Sequence, residues 1–259
     1  MRRSLWQGFV DHFSFRRGSR SRTNRDANER ATGPTTRPFR ADGLDRCVDH
    51  LSGDAGVRHH EHVTEIRRAT LQDLPGVYRV CLRTGDAGAD ATAIYRDPDL
   101  LGHVFVGPYV VGAPELALVA ADEEGVAGYC LAASDTTAFA AWAEREWWPP
   151  LRAVHPRRTD GTPDAAVIEL FHDPPTAPPD VVEAYPAHLH IDLLERVRGE
   201  GLGRRLIERQ LDQLRAAGAQ ACHLAVAPTN DNAIEFYRHL GWSMLREVDD
   251  AWLMGIRLR

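Results

Sequence analysis

From residue 63 onward, hydrophobic and polar positions alternate with two distinct periods. Ile66 within Thr64–Ala69 reads as a first strand, and Thr70 or Asp73 is placed to cap a helix whose apolar face is Leu74, Val77, Val80 and Leu82. A long loop is expected through Pro98 to Pro114. A hairpin then follows, Leu116–Ala121 and Val126–Ala132, around the acidic turn Asp122-Glu123-Glu124-Gly125. Ala138–Trp148 reads as a helix stopped by Pro149 and Pro150, and Asp173–Pro186 as a proline-rich loop enclosing a short helix near Val181–Ala184.

The second half is more regular. In Ala187–Leu194, Leu189, Ile191 and Leu193 alternate with His188, His190 and Asp192, which predicts a strand with two unlike faces. A helix over Arg204–Ala217 carries Leu206, Ile207, Leu211 and Leu214 on one stripe and stops at Gly218. A strand at Ala221–Ala227, a helix at Asn232–Leu240 ended by Gly241, and strands near Ser243–Val248 and Ala251–Leu258 complete the chain. These elements sum to a mixed α/β sheet with helices on both faces.

Composition changes the picture mainly at the N-terminus. Residues 1–61 are rich in Arg and polar residues, too sparse in apolar side chains to offset the entropy of ordering, so the expectation is a disordered arm before a domain at 62–259. Its first forty residues hold ten arginines against Asp11, Asp26 and Glu29. The rest of the chain therefore carries −13 within the overall −6, a balance that repels nucleic acid from the globular part and attracts cations. Trp6, Phe9, Val10, Phe13 and Phe15 outline a short amphipathic turn in that arm, and His59, His60 and His62 a cluster without a metal framework. No apolar run is long enough to cross a bilayer and no secretory leader is evident, so the expected location is the cytoplasm. Cys47, Cys81, Cys130 and Cys222 have neither metal nor redox spacing, and the absence of lysine excludes a lysine nucleophile or a Walker loop.

The chemistry concentrates at Arg198-Gly199-Glu200-Gly201-Leu202-Gly203-Arg204, between a predicted strand and a predicted helix. Such a turn aims free N–H groups and the positive helix end at an anion, and glycine lets the backbone approach phosphate oxygens. Arg198 and Arg204, with Arg196 or Arg205 in reserve, would add charge-assisted contacts. Nothing repeats as the βαβ units of a Rossmann fold do.

Arg198, Gly201 and Gly203 match the R-x-x-G-x-G element of the GNAT acetyltransferases, and Asn232-Ala233-Ile234-Glu235-Phe236-Tyr237-Arg238-His239-Leu240-Gly241-Trp242 resembles their downstream N-x-x-A-x-x-F-Y-x-x-x-G-F stretch, with Trp242 replacing Phe. After about residue 90, Pro114-Glu115, Gly128-Tyr129, Asp135–Phe139, Trp148-Pro149, Phe171-His172 and Leu189–Asp192 are also similar to the acetyltransferase-like C-terminal domain of eukaryotic O-GlcNAcase. That domain departs from the glycine pattern, whereas this chain keeps it.

The resemblance implies a GNAT fold, with a mostly antiparallel central sheet, and acetyl-CoA as cosubstrate for metal-free transfer to a primary amine in a ternary complex. By the same resemblance, the main chain of Leu193 and Leu194 holds pantetheine, residues 198–204 hold the pyrophosphate, and Tyr237 protonates the departing thiolate. Asn232 either contacts the cofactor arm or caps its helix. Asp192 is the first candidate base and His190 the second, although either fits an orienting or structural role equally well. An acceptor wall is expected from the loop Gly102–Pro114, Asp135 and the helix bearing Trp142, Trp147 and Trp148, suited to a cationic amine. The competing reading is a catalytically weak GNAT-fold module that binds a protein or modified peptide.

Overall fold

The first strand of the domain, β1 (Glu65–Arg68), ends in a knot of polar contacts that turns the chain into its first helix. In the computed structural model, which describes residues 64–199, 201–248 and 251–259, Asp73 accepts from Thr70 N–H at 2.8 Å and from both terminal nitrogens of Arg67. The Arg67 guanidinium holds the Asp73 carboxyl down to about 2. Thr70 and Asp73 together form a capping box on a short 3-10 turn, so both candidate caps act at one corner. The arm, the amphipathic turn, the histidine cluster and Cys47 lie outside the described residues, as does Glu200.

Helix α1 (Leu74–Thr84) leads into a segment that forms two short helices, α2 (Leu100–Phe105) and α3 (Gly107–Gly112), rather than the expected loop. Their apolar residues are too few to show a helical period, and burial against α1 and a later helix decides their shape. The hairpin is β2 (Ala117–Asp122) and β3 (Gly125–Ala133). Next come α4 (Thr136–Trp142), a π-helical turn (Ala143–Trp147) and α5 (Trp148–Val154). Pro149 and Pro150 thus begin a helix instead of stopping one: the π turn has already interrupted the i→i−4 ladder, so their missing N–H groups fall in a first turn where none is needed.

Two more helices precede the glycine segment: α6 (Pro163–His172), for which the sequence carried no expectation, and α7 (Pro179–Ala184). β4 (Ala187–Leu193), α8 (Leu202–Ala216), β5 (Ala221–Val226), α9 (Asp231–His239), β6 (Ser243–Val248) and β7 (Ala251–Arg257) complete the order within one or two residues of the sequence reading.

Among the described residues, seven strands form one sheet in the order β1-β2-β3-β4-β5-β7-β6. Every neighbouring pair is antiparallel except β4 with β5, the mixed, mostly antiparallel sheet expected. One core joins Tyr129 and Leu131 to α1, α2, α3 and α6, and a second core on the other face joins Cys130, Ala132 and Leu189 to α8 and α9. Strand alternation sends neighbouring residues of β3 and β4 into different cores. Thus Asp192 and Tyr237 approach the middle of the sheet from opposite faces.

Candidate active site

The site is made where the sheet comes apart. β4 and β5 pair only at Ala187↔Cys222 and His188↔His223. β4 stays on β3 to its end, through Gly128↔Leu193, and Leu194 N–H then donates to Ala127 O at 2.8 Å. β5 meanwhile remains paired along its length with β7. Both strands are held from their outer edges, so a gap opens between them. Because Leu194 points its N–H toward β3, alternation turns the main-chain N–H groups of Ile191 and Leu193 into that gap.

Of the two residues proposed to hold pantetheine, Leu193 lines the cleft and Leu194 does not. Both Leu194 main-chain groups are engaged, the carbonyl by Val197 N–H at 3.1 Å. Gly128 makes the placement of Leu193 possible: a Cβ there would lie 2.3 Å from Leu193 Cδ2.

At one end of the gap lies the glycine segment. Gly199 and Gly201 have φ of +95° and +71°, left-handed values that favour glycine, and no atom lies within 4 Å of where their Cβ atoms would sit. Gly201 is the N-cap of α8, whose first free N–H groups belong to Leu202, Gly203 and Arg204 and sit at the cleft wall. A 15-residue helix directs its positive end here. An open cradle of glycines at such a helix end fits a pyrophosphate.

The arginines behave less uniformly than expected. Arg198 donates from Nε to Leu193 O at 2.9 Å and from a terminal nitrogen to Gly88 O at 3.1 Å, tying β4 to the loop after α1. Arg196 forks onto Asp122 of the hairpin turn, and Arg204 pairs with Glu208 one turn along its helix.

Across the gap, α9 presents Asn232, Ala233, Phe236 and Tyr237 to the cleft. The cap of this helix is Asn230, whose side chain accepts from Ala233 N–H at 3.1 Å, so Asn232 sits inside the first turn, exposed and free of the capping role. Tyr237 is buried beside Phe236 and Trp242, and its hydroxyl makes no hydrogen bond to a described residue. Burial, and then the nearby Asp192 charge, push its pKa up, which keeps the phenol protonated.

At the other end stand Asp192 and His190. Tyr129, the cross-strand partner of Asp192, donates its hydroxyl to Asp192 Oδ2 at 2.5 Å. Desolvation pushes the Asp192 carboxyl up to about 6, opposed by the Tyr129 hydrogen bond and the Arg198 charge. His190 is lowered to about 4, first by desolvation and then by His223, and makes no hydrogen bond to a described residue. His188 does not reach the cleft lining. Thr136 Oγ1 donates to Pro186 O, so His188 Nδ1–H donates to Thr136 and Nε2 accepts from Tyr109 at 2.8 Å, which fixes one neutral tautomer. Among the described residues no group of three or more His, Cys, Asp or Glu is disposed to hold a metal ion.

The two ends form one cleft of roughly 650 Å³, within the usual range of ~300–1,000 Å³ for small-ligand sites. It gathers His190, Asp192, Leu193, Arg198, Gly199, Gly201–Arg204, Asn232 and Tyr237. Asp135, Trp142, Trp147 and Trp148 are absent from its wall. Asp135 caps α4 through Ala138 N–H, Trp147 Nε1 donates to His103 O, and Trp148 stacks on Phe171 in the core. From the segment 102–114, Phe105 lines the cleft, while Tyr109 binds His188 instead. Tyr129 is a cleft side chain the sequence reading missed; aligning the strand 126–132 against 187–194 would have set it opposite Asp192.

A strand pair splayed over a glycine-rich helix start defines an acyl-transfer cleft, and the chain belongs to the acetyltransferase (GNAT) family, whose model matches residues 108–242. The chain is 27% identical over 183 residues to Protein O-GlcNAcase of Rattus norvegicus, covering 69% of this chain and 20% of that protein. It thus spans about a fifth of the length of that relative. Mycothiol acetyltransferase of Corynebacterium glutamicum is 28% identical over 232 residues, covering 86% of this chain and 73% of the relative. Among solved structures, SsHAT superposes with a TM-score of 0.71 at 35% identity, covering 76% of this chain and 98% of that one. No helix among the described residues is long and apolar enough to cross a membrane.

Proposed function

We propose that this chain is an acetyl-CoA-dependent N-acetyltransferase that moves the acetyl group directly to a primary amine in a ternary complex. The observation that carries the reading is the β4–β5 gap, which joins an anion-attracting helix start to a half-buried carboxylate through a stretch of unpaired strand amides. Acetyl-CoA, when bound, supplies an activated thioester with a thiolate leaving group. Leu202, Gly203 and Arg204 N–H groups would hold its pyrophosphate and Asn232 its arm. Ile191 and Leu193 N–H groups would donate to the carbonyl oxygen where negative charge develops.

Tyr237 keeps a proton at Oη at neutral pH, ready for the thiolate. Asp192 is ionised at pH 7 yet more basic than an ordinary carboxylate, so it takes the amine proton, with Tyr129 holding its orientation. His190, neutral at that pH, orients the amine. Cys81 also reaches the cleft, but burial raises its thiol pKa and keeps it protonated, which disfavours an acetyl-cysteine route.

The test is thermal unfolding with and without acetyl-CoA. At about 100 times its dissociation constant the ligand adds about 2.7 kcal/mol, raising the midpoint by roughly 5 to 10 °C. Gly201→Asp, which tolerates the left-handed backbone but sets a negative charge in the cradle, should lose that rise. An unmoved midpoint in the intact protein would sink the reading and favour the binding module.

A further inference from the structure

The acceptor end of the cleft has walls quite unlike its cofactor end. Leu101 and Phe105 come from α2, and Val167 and Leu170 from α6. Leu101, Val167 and Leu170 are each 5% exposed or less, so these walls stand close together. Asp192 is the one carboxylate among the described residues on the cleft wall. The neighbouring Asp164 faces away and is spent on the N–H groups of Arg96 and Asp97.

Other polar groups at this end are also committed. Thr84 donates to Val80 O and Tyr129 to Asp192, so the other polar side chains on this part of the wall are few: the His190 ring, the Tyr95 phenol and the protonated Cys81 thiol. A second ammonium on the acceptor would find no second carboxylate among the described lining residues and would be buried mainly against leucine, valine and phenylalanine. Sugar hydroxyls or a peptide backbone would meet the same shortage of hydrogen-bond partners. An apolar body instead gains by leaving water. The cofactor arm shares the same cavity, so that body must be compact.

Resting on the acetyltransferase reading above, we propose that the acceptor is a compact monoamine with an apolar body, its single ammonium at Asp192 and its body against Leu101, Phe105, Val167 and Leu170. An arylalkylamine is the simplest member of this class.

The experiment uses the full chain at saturating acetyl-CoA and compares 2-phenylethylamine, spermidine, glucosamine and an arginine- and lysine-rich peptide. The expected result is a kcat/KM for 2-phenylethylamine at least about tenfold above each of the others, in the range hydrophobic pockets achieve. Val167→Asp should cut that advantage about tenfold or more while leaving the acetyl-CoA midpoint rise intact. Leu170→Ala, a milder change should the charged variant fail to fold, should raise KM for 2-phenylethylamine several-fold with kcat nearly kept. Preference for spermidine, glucosamine or the peptide overturns the proposal, as does an advantage indifferent to both substitutions. If acetyl-CoA neither moves the midpoint nor supports transfer to any amine, the acetyltransferase reading itself fails, an outcome distinct from transfer to the wrong amine.

Discussion

The two ends of the cleft are built by different means. The cofactor end uses main chain: positive-φ glycines, the start of α8 and the free amides of β4. The acceptor end uses side chains brought from α1, α2, α6, β3 and β4, segments far apart in the chain. A main-chain site tolerates change in most side chains and binds a chemical group common to many reactions. A side-chain site changes its preference with each substitution, so the proposed acceptor specificity is expected to depend on that end.

The sharpest way to break this contrast is at the junction of the two ends, where a single hydroxyl is at stake. Tyr237→Phe should lower turnover by about 10²-fold or more while the KM for acetyl-CoA stays within about twofold, because the proton is needed only as the thiolate leaves. Unchanged turnover in steady-state assays would remove Tyr237 from the mechanism.

A smaller effect distinguishes the two candidate bases. If Asp192 takes the proton, the acidic limb of the kcat profile lies near pH 6; if His190 does, it lies near pH 4. Tyr129→Phe removes a hydrogen bond that favours the ionised carboxylate, so it should move the Asp192 limb upward and lower turnover several-fold. A limb near 4 that ignores this substitution would transfer the role to His190.

The smallest effect is on stability. The Asp192 carboxyl titrates near 6 in the folded protein, above the ordinary carboxylate value, so the folded state binds the extra proton between about pH 4 and 6. Stability from this group is therefore full below about pH 4 and is lost as pH rises through 6. Asp192→Asn should melt higher than the parent at pH 7, with the difference vanishing toward pH 4 in scans across that range. A stability gain at pH 7 with lost turnover would mark the acceptor end as the place where stability is sacrificed to chemistry.

The segments legible in the sequence were those whose information is local. The run Gly199–Gly203 must turn tightly, α8 and α9 show a helical stripe, and β4 alternates. Even the pairing of Asp192 and His190 on one face followed from period two. Less of the region 98–172 could be read: α2 and α3 are short helices held by burial, α6 has no strong amphipathic stripe, and Pro149 and Pro150 changed meaning once a π turn preceded them. The tryptophans promised an acceptor wall by chemistry alone, yet two of them are anchored within the fold by a core stack and a backbone hydrogen bond.

By itself the sequence determined the glycine cradle, the helix that aims at it, the strand carrying Asp192 and the position of Tyr237, because spacing along one element dictates each of them. Only the tertiary structure decided that Tyr129 grips Asp192, that Arg198 ties Leu193 to Gly88, that Asn230 rather than Asn232 caps α9, and that Leu101, Phe105, Val167 and Leu170 face the cleft. Those contacts join residues dozens of positions apart or depend on where a helix starts, and strand register with helix packing, not local pattern, brings such groups within reach.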